Sequence, residues 1–247
     1  MSEPVENQPK GRGMKALFRA AVLDTSLATR VAWAIVAVIT LGVLATSLLT
    51  FEPMVGDEVT HFYMLKHQAE VLPTPNFHAY IETAFGDEPE MRGYPHAFFW
   101  HYAGAIVYRL TGGSMLALHL FHWLFLVQLL LATLFLVWPK DRSCRLSDVL
   151  AVALVLCLPM TLIFSVTFYL DVPAAAQVVT AFACLRYRKW GWGAICMALA
   201  VGIKESMLLM MPGYMLYLVF CMWGQRWRQI VLAALAGIGC LTLVCSI

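Results

Sequence analysis

Two acidic residues, Asp57 and Glu58, stand side by side just after the first long apolar stretch of this chain, behind Pro53 and Gly56. Adjacent carboxylates do not share a helix face. One can point into a pocket and take a proton while the other binds a backbone amide or caps the helical run Glu58 to Val71. As an N-cap, Asp57 would have a purely structural job. His61 lies four residues beyond Asp57 and can sit beside it on the same face. The run Asp57-Glu58-Val59-Thr60-His61 is only superficially like a zinc HExxH motif, because the first ligand is wrong and no third is evident. Further along, Asp171 precedes Val172-Pro173, and Lys204-Glu205 closes a Trp/Gly-rich apolar stretch. Ionisable groups against apolar helix ends are costly at membrane depth and usually mark a site or a pathway. A lysine there can also simply snorkel to lipid headgroups. His119 and His122, three apart in another apolar stretch, would suit a haem or metal only with a partner pair elsewhere, and none exists. They read as packing, or as a polar wall of a pocket.

The elements that must hold these residues follow from composition. Of 247 residues, 61% are hydrophobic and 13% charged, against about 25% charged in soluble domains. Charge-free windows run from Val31 to Phe51, Leu110 to Pro139, Val149 to Leu170 and Val172 to Leu185, with others beyond. A helix needs about 20 apolar residues to cross a bilayer, and only helices or closed barrels satisfy their backbone in lipid. The expected fold is all-α, a polytopic transmembrane helical protein with juxtamembrane helices on its outer face. Six of the seven cysteines lie inside apolar windows, no CxxC pair occurs, and they read as small hydrophobes.

Orientation comes from the positive charges. The stretch Ala97 to Leu110 is only 14 residues long and contains His101, Tyr102, Tyr108 and Arg109, which suggests an interfacial helix. If it lies flat on the outer face, 13 of the 17 basic residues fall in the cytoplasm, Lys140, Arg142, Arg145, Arg186, Arg188 and Lys189 among them. The expected organisation is a basic cytoplasmic segment, 1–30, followed by a transmembrane domain, 31–247, with an outer loop at 51–114. About seven spans are expected, at 31–50, 115–138, 147–168, 172–187, 190–205, 207–224 and 229–247. The last window stops at Ile247 without flanking polar residues, as in the N-terminal part of a longer chain. This topology brings Asp57, Glu58, Asp171, Lys204 and Glu205 to one side of the membrane. A transporter or flippase would also cluster ionisable groups near helix ends, although at mid-membrane and with repeats. A non-catalytic membrane subunit would tolerate substitution of its outer acids.

The order of motifs resembles a known family. An acidic pair after the first span is followed by Arg92-Gly93-Tyr94-Pro95-His96, a short aromatic helix ending in Leu110-Thr111-Gly112, then Phe168-Tyr169-Leu170-Asp171-Val172-Pro173, and finally Gly202-Ile203-Lys204-Glu205. Over roughly residues 31 to 225 this is similar to the GT-C fold of polyprenyl-phosphate-dependent glycosyltransferases, most of all the protein mannosyltransferase and aminoarabinose transferase type (family 39). The acidic motif also resembles that of the alpha-1,2-glucosyltransferase of N-glycan assembly. The resemblance implies a sugar transferred from a lipid-phosphate donor to a glycan, lipid or protein acceptor on the extracytoplasmic face. The expected setting is a bacterial inner membrane, with the N-terminus cytoplasmic. It implies Asp57 as catalytic base beside Glu58, Asp171 shaping the acceptor or sugar site, and Arg92 and Lys204 on the carrier phosphate, with His61, His96 and Glu205 as further binding residues. No cofactor is implied beyond the lipid-linked donor, the metal requirement stays open, and the partners are membrane lipids and these substrates, not nucleic acid. Family members commonly have Lys-Pro-Pro where this chain has Arg92-Gly-Tyr-Pro, and an Arg where His119 stands.

Overall fold

The computed structural model describes residues 26–49, 57–75, 78–81, 90–93, 98–138 and 143–222. Two helices, α1 (Leu27–Leu49) and α4 (Met115–Val137, numbered in chain order), have 23 residues each, about 34 Å of rise and enough for a hydrocarbon core of about 30 Å. On α1 the buried positions Thr29, Val36, Thr40, Val43 and Ser47 recur at helical spacing, while Val31, Ile35, Val38 and Leu41 face outward. A helix apolar on both faces is what a span requires. Its polar side chains are satisfied internally: the Thr40 hydroxyl donates to the Val36 carbonyl at 2.7 Å and Ser47 to Val43 at 3.0 Å.

Between these spans lie α2 (Asp57–Val71), a hairpin of β1 (His78–Ile81) and β2 (Glu90–Gly93), and α3 (Phe99–Leu110). The strands pair antiparallel with His78 opposite Gly93. This hairpin adds one small sheet to an otherwise all-α membrane protein. Helix α3 buries Trp100, His101, Gly104 and Ala105, one stripe, and ends in a Schellman turn. There Gly112 and Gly113, with φ of 66° and 87°, donate to the carbonyls of Arg109 and Tyr108. Glycine is needed at these positive φ values. Ser114 then caps α4 by accepting from the Ala117 amide.

The expected span 147–168 is instead two helices, α5 (Leu146–Cys157) and α6 (Pro159–Val166), bent by 61°. Pro159 supplies no N–H and excludes the helical conformation at Leu158, which is extended. Among the described residues, two helices are long and apolar enough to cross a membrane, or three if the bent pair counts as one. The shorter α7 (Asp171–Arg186) and α8 (Trp190–Ile203) form an antiparallel hairpin, followed by a 3₁₀ turn (Glu205–Met210) and α9 (Met211–Met222). The expected span 229–247 lies outside the described residues.

Helix α4 is the spine. Gln128 on it donates to the Thr180 hydroxyl of α7 at 3.0 Å and accepts from Gln177 at 3.2 Å. At its C-terminus, Tyr187 donates to the carbonyls of Phe135 and Trp138, and Arg186 to that of Leu136, so the last turn is satisfied by the start of the α7–α8 connection. One core cluster (Leu126, Leu129, Val149, Val152, Leu156) joins α1, α4 and α5, and another (Ala181, Leu185, Met197, Leu218) joins α7, α8 and α9. A third gathers Leu65, Trp100, Leu118, Phe168, Leu170 and Ile203, where α2, α3, α4, α7 and α8 meet.

Candidate functional site

This third cluster underlies the site. Helices α2 and α3 run side by side in the same direction: Leu65 packs where Gly104 lacks a side chain, and Arg109 donates to the Leu72 carbonyl at 2.8 Å. Arg109 thereby satisfies a carbonyl just past the α2 C-terminus. The same alignment sets His61 Nδ1 3.1 Å from His101 Nε2, with exposures of 4% and 2%. Two imidazoles so joined share one hydrogen, one ring donating and the other accepting.

Glu58, 4% exposed, accepts a hydrogen bond on Oε1 from the Phe168 amide at 3.1 Å. It ties the start of α2 to the non-helical link between α6 and α7. Phe168 is the centre of an aromatic nest, stacked on His119 at 4.6 Å between centroids and edge-on to His122 at 5.9 Å. His122 Nε2 is bonded to the Phe164 carbonyl at 2.8 Å. Both histidines are buried in this nest.

Three residues past Phe168, Asp171 opens α7, and its Oδ1 lies 2.6 Å from Lys204 Nζ. Two favourable placements meet here. A carboxylate is stabilised in the first turn of a helix and a cation at the C-terminal end, and Lys204 is the C-cap residue of α8. Antiparallel packing of two helices of 16 and 14 residues brings those ends together. The side chains are 36% and 26% exposed, so the pair is open on one side. Helix α3 packs on the α8 end just before the pair: a Cβ on Gly202 would come within 2.1 Å of the Phe99 ring.

Of the residues expected from sequence, Glu58, His61, Asp171 and Lys204 thus converge on the end of the bundle where the third cluster lies. Glu205 begins the 3₁₀ turn beside Lys204 and is exposed. Arg92 pairs with Ala79 in the hairpin, and Asp57 is the first residue of α2; the side chains of both, and all of His96, lie outside the description. His101 and Trp100 are the residues that sequence reasoning passed over. Their signal was a histidine on the buried stripe of an amphipathic helix, which spacing alone reads as packing. Among the described residues, no three of His, Cys, Asp and Glu are grouped to hold a metal ion.

Apolar helices long enough to span mark an integral membrane protein, and the polar, acid- and lysine-bearing cluster at one end of the bundle is its candidate site. The family is given by the sequence: the model of the ALG3 protein family matches residues 90–245, well over half the chain, and the chain belongs to that family. It is therefore a membrane glycosyltransferase, of a family that uses a lipid-linked sugar donor and a glycan acceptor. No curated protein and no solved structure matches. The motifs resemble the family 39 type, whereas the match is to ALG3; the two readings agree on a membrane glycosyltransferase with a lipid-linked donor. The matched region contains Arg92, His96, Asp171, Lys204 and Glu205, while Asp57, Glu58 and His61 lie before it.

Proposed function

We propose that the chain transfers a hexose, mannose in view of the family, from a polyprenyl-phosphate carrier to a glycan on the extracytoplasmic face. The observation that carries this reading is the Asp171–Lys204 pair at the open end of α7 and α8, in a chain of the ALG3 family. The acceptor hydroxyl attacks the anomeric carbon and forms the new glycosidic bond. The bond from that carbon to the phosphate oxygen breaks, and its electron pair leaves with the polyprenyl phosphate. The hydroxyl proton passes to a carboxylate, assigned to Asp57, the residue at the start of α2 beside the buried Glu58. The leaving phosphate gains charge as the bond breaks, and fixed cations lower that cost; Lys204 takes this role, with Arg92 from the hairpin. His61, His96 and Glu205 are assigned to substrate contacts around them. The N-terminus is assigned to the cytoplasm on the positive-inside rule.

The test is sugar transfer by the full-length protein in proteoliposomes. Asp57→Asn retains shape and capping ability but not the capacity to accept a proton, and should lower the rate about 10²–10⁴-fold with donor binding unchanged. Turnover near the parental rate in a folded Asp57→Asn protein would remove Asp57 from the mechanism.

A further inference from the structure

A carboxylate 2.6 Å from the cation assigned to the donor phosphate is in the way of that phosphate. Among the described residues, the side-chain partner of Asp171 is Lys204. Asp171 accepts from Lys204, stands in the first turn of α7, and follows directly on the Phe168–Leu170 link that Glu58 anchors. It is held in place by the fold rather than swinging in from a loop.

Helix lengths say where the pair sits. At 1.5 Å per residue α7 rises about 24 Å and α8 about 21 Å, both short of a hydrocarbon core of about 30 Å. With the basic turn of Arg186, Arg188 and Lys189 at one headgroup layer, the opposite ends fall about 6–9 Å short of the other. Any tilt deepens the shortfall. An unpaired lysine is costly at such depth, so a standing counter-ion is needed whenever no other anion is present. The anion that replaces it must also reach a recessed position, which suits a phosphate carried on a lipid better than one dissolved in water.

Resting on the reading above, we infer that Asp171 is a positioning residue that holds Lys204 as an exchangeable counter-ion. The lysine passes from carboxylate to lipid phosphate when the donor arrives, and back again when the polyprenyl phosphate leaves. In the bound state the displaced carboxylate repels the phosphate nearby. The pair thereby keeps the recessed cation compensated in the empty enzyme and weakens the hold on the product.

This makes an unusual demand: removing a charged group from the site must strengthen binding. The probe is farnesyl phosphate, a short polyprenyl monophosphate, titrated into the full-length protein in nanodiscs, with inorganic phosphate as the comparison. Asp171→Asn, still able to accept from Lys204, should bind farnesyl phosphate about fivefold or more tightly, since a like charge at contact distance is removed. Inhibition of transfer by added farnesyl phosphate should strengthen by the same factor. Lys204→Met should bind it at least about fivefold less tightly, and adding Asp171→Asn to that variant should recover less than it gains beside an intact lysine, because only the like-charge repulsion is then relieved and the competition for Lys204 is gone. Inorganic phosphate should bind weakly to every variant; affinity for it equal to that for farnesyl phosphate would overturn the membrane-borne ligand. Farnesyl phosphate affinity that is unchanged or lower in Asp171→Asn, with Lys204→Met weakened, would sink the exchange while leaving the phosphate role of Lys204 intact. Unchanged affinity in Lys204→Met would sink both. Asp171→Ser serves if the Asn variant does not fold, with the same expected sign.

Discussion

Lys204 Nζ and Asp171 Oδ1, 33 residues apart in the chain, lie 2.6 Å from each other because α7 and α8 fold back as a hairpin of nearly equal arms. Asp171 is fixed from the other direction as well. The link before it is pinned through the Phe168 amide to Glu58, so an acid on α2 sets the position of an acid on α7. A displacement of α2 would therefore be felt at Lys204 through the Phe168 link.

Glu58 separates a structural from a chemical role. It is buried, and its Oε1 takes the Phe168 amide proton at 3.1 Å. Glu58→Gln keeps an acceptor oxygen at the same reach, so the link should stay in place and transfer should remain within about threefold of the parent. Glu58→Ala leaves a buried amide without its acceptor, which costs about 1–3 kcal/mol and should lower the melting temperature as well as the rate. Loss of turnover in Glu58→Gln with an unchanged melting temperature would instead make Glu58 the base.

The His61–His101 pair should show coupling. The two rings bond each other across α2 and α3, so removing one takes a hydrogen-bond partner from the buried ring of the other. His61→Phe and His101→Phe should each destabilise the protein, and the double variant should cost less than the sum, with an interaction energy of about 0.5–3 kcal/mol in a double-mutant cycle followed by thermal melting. Strict additivity would mean that the two rings contribute independently.

Much of the scaffold could be read from the sequence because membrane helices advertise themselves. The charge-free windows that begin at Val31 and Leu110 become α1 and α4, and Asp171-Val172-Pro173 does mark the start of a helix. The bend at Leu158 was not legible, since a proline inside an apolar run is tolerated in some spans and breaks others according to its neighbours. Nor was the hairpin, whose short strands carry no clear alternation. The site residues were legible singly and not in their pairings. Lys204 and Asp171 stand out as charges at apolar ends, but nothing in their spacing says that one grips the other. Glu58 and Phe168 are 110 positions apart, and their bond exists only because the bundle closes. His101 reads as packing until α2 brings His61 to it.

Gly202 is the close-approach point between α3 and the α8 end. A Cβ there would come within 2.1 Å of the Phe99 ring and 3.1 Å of its first ring carbon, which sits near the backbone and cannot swing clear. Gly202→Val should push α3 away from the α8 end that carries Lys204, at about 1–3 kcal/mol of overpacking. The expected result is a lower melting temperature and weaker donor binding together. A second change, Phe99→Ala, should recover part of both by making room; no recovery would place the effect elsewhere.

Arg188 offers a prediction that involves no site residue. It follows the C-cap Tyr187 with φ of 57°, while the amides of Arg188 and Lys189 return to the carbonyls of Leu185 and Cys184. This is a Schellman turn with arginine at the position that favours glycine. The left-handed conformation costs a non-glycine residue about 1–2 kcal/mol. Arg188→Gly should raise the melting temperature in detergent, with sugar transfer unchanged; a lower melting temperature would mean that the arginine makes up the strain through its charge.

Sidedness underlies the assignment of the site to the extracytoplasmic face, and cysteine labelling decides it. In a background with the seven native cysteines replaced, single cysteines at Glu70 and Asp87 should react with a membrane-impermeant maleimide added from outside. Glu70 is on the exposed side of α2, the helix whose first turn holds Glu58 against the link that precedes α7. Cysteines at Ser143 and Arg188, at the other end of α4 and α7, should react only after the membrane is opened. The physical basis is the positive charge: Lys140, Arg142, Arg145, Arg186, Arg188 and Lys189 fall on the same side as the basic segment 1–30 only if α3 does not cross. At 12 residues, about 18 Å, α3 is too short to cross a 30 Å core unaided. It also carries Arg109, which donates to the Leu72 carbonyl beyond the α2 end instead of facing lipid. Reaction from outside at Arg188 with none at Glu70 would reverse the whole molecule, putting Asp171 and Lys204 on the cytoplasmic side. The lysine could still meet a lipid phosphate there, but from the opposite leaflet, and the donor would have to be one that faces the cytoplasm.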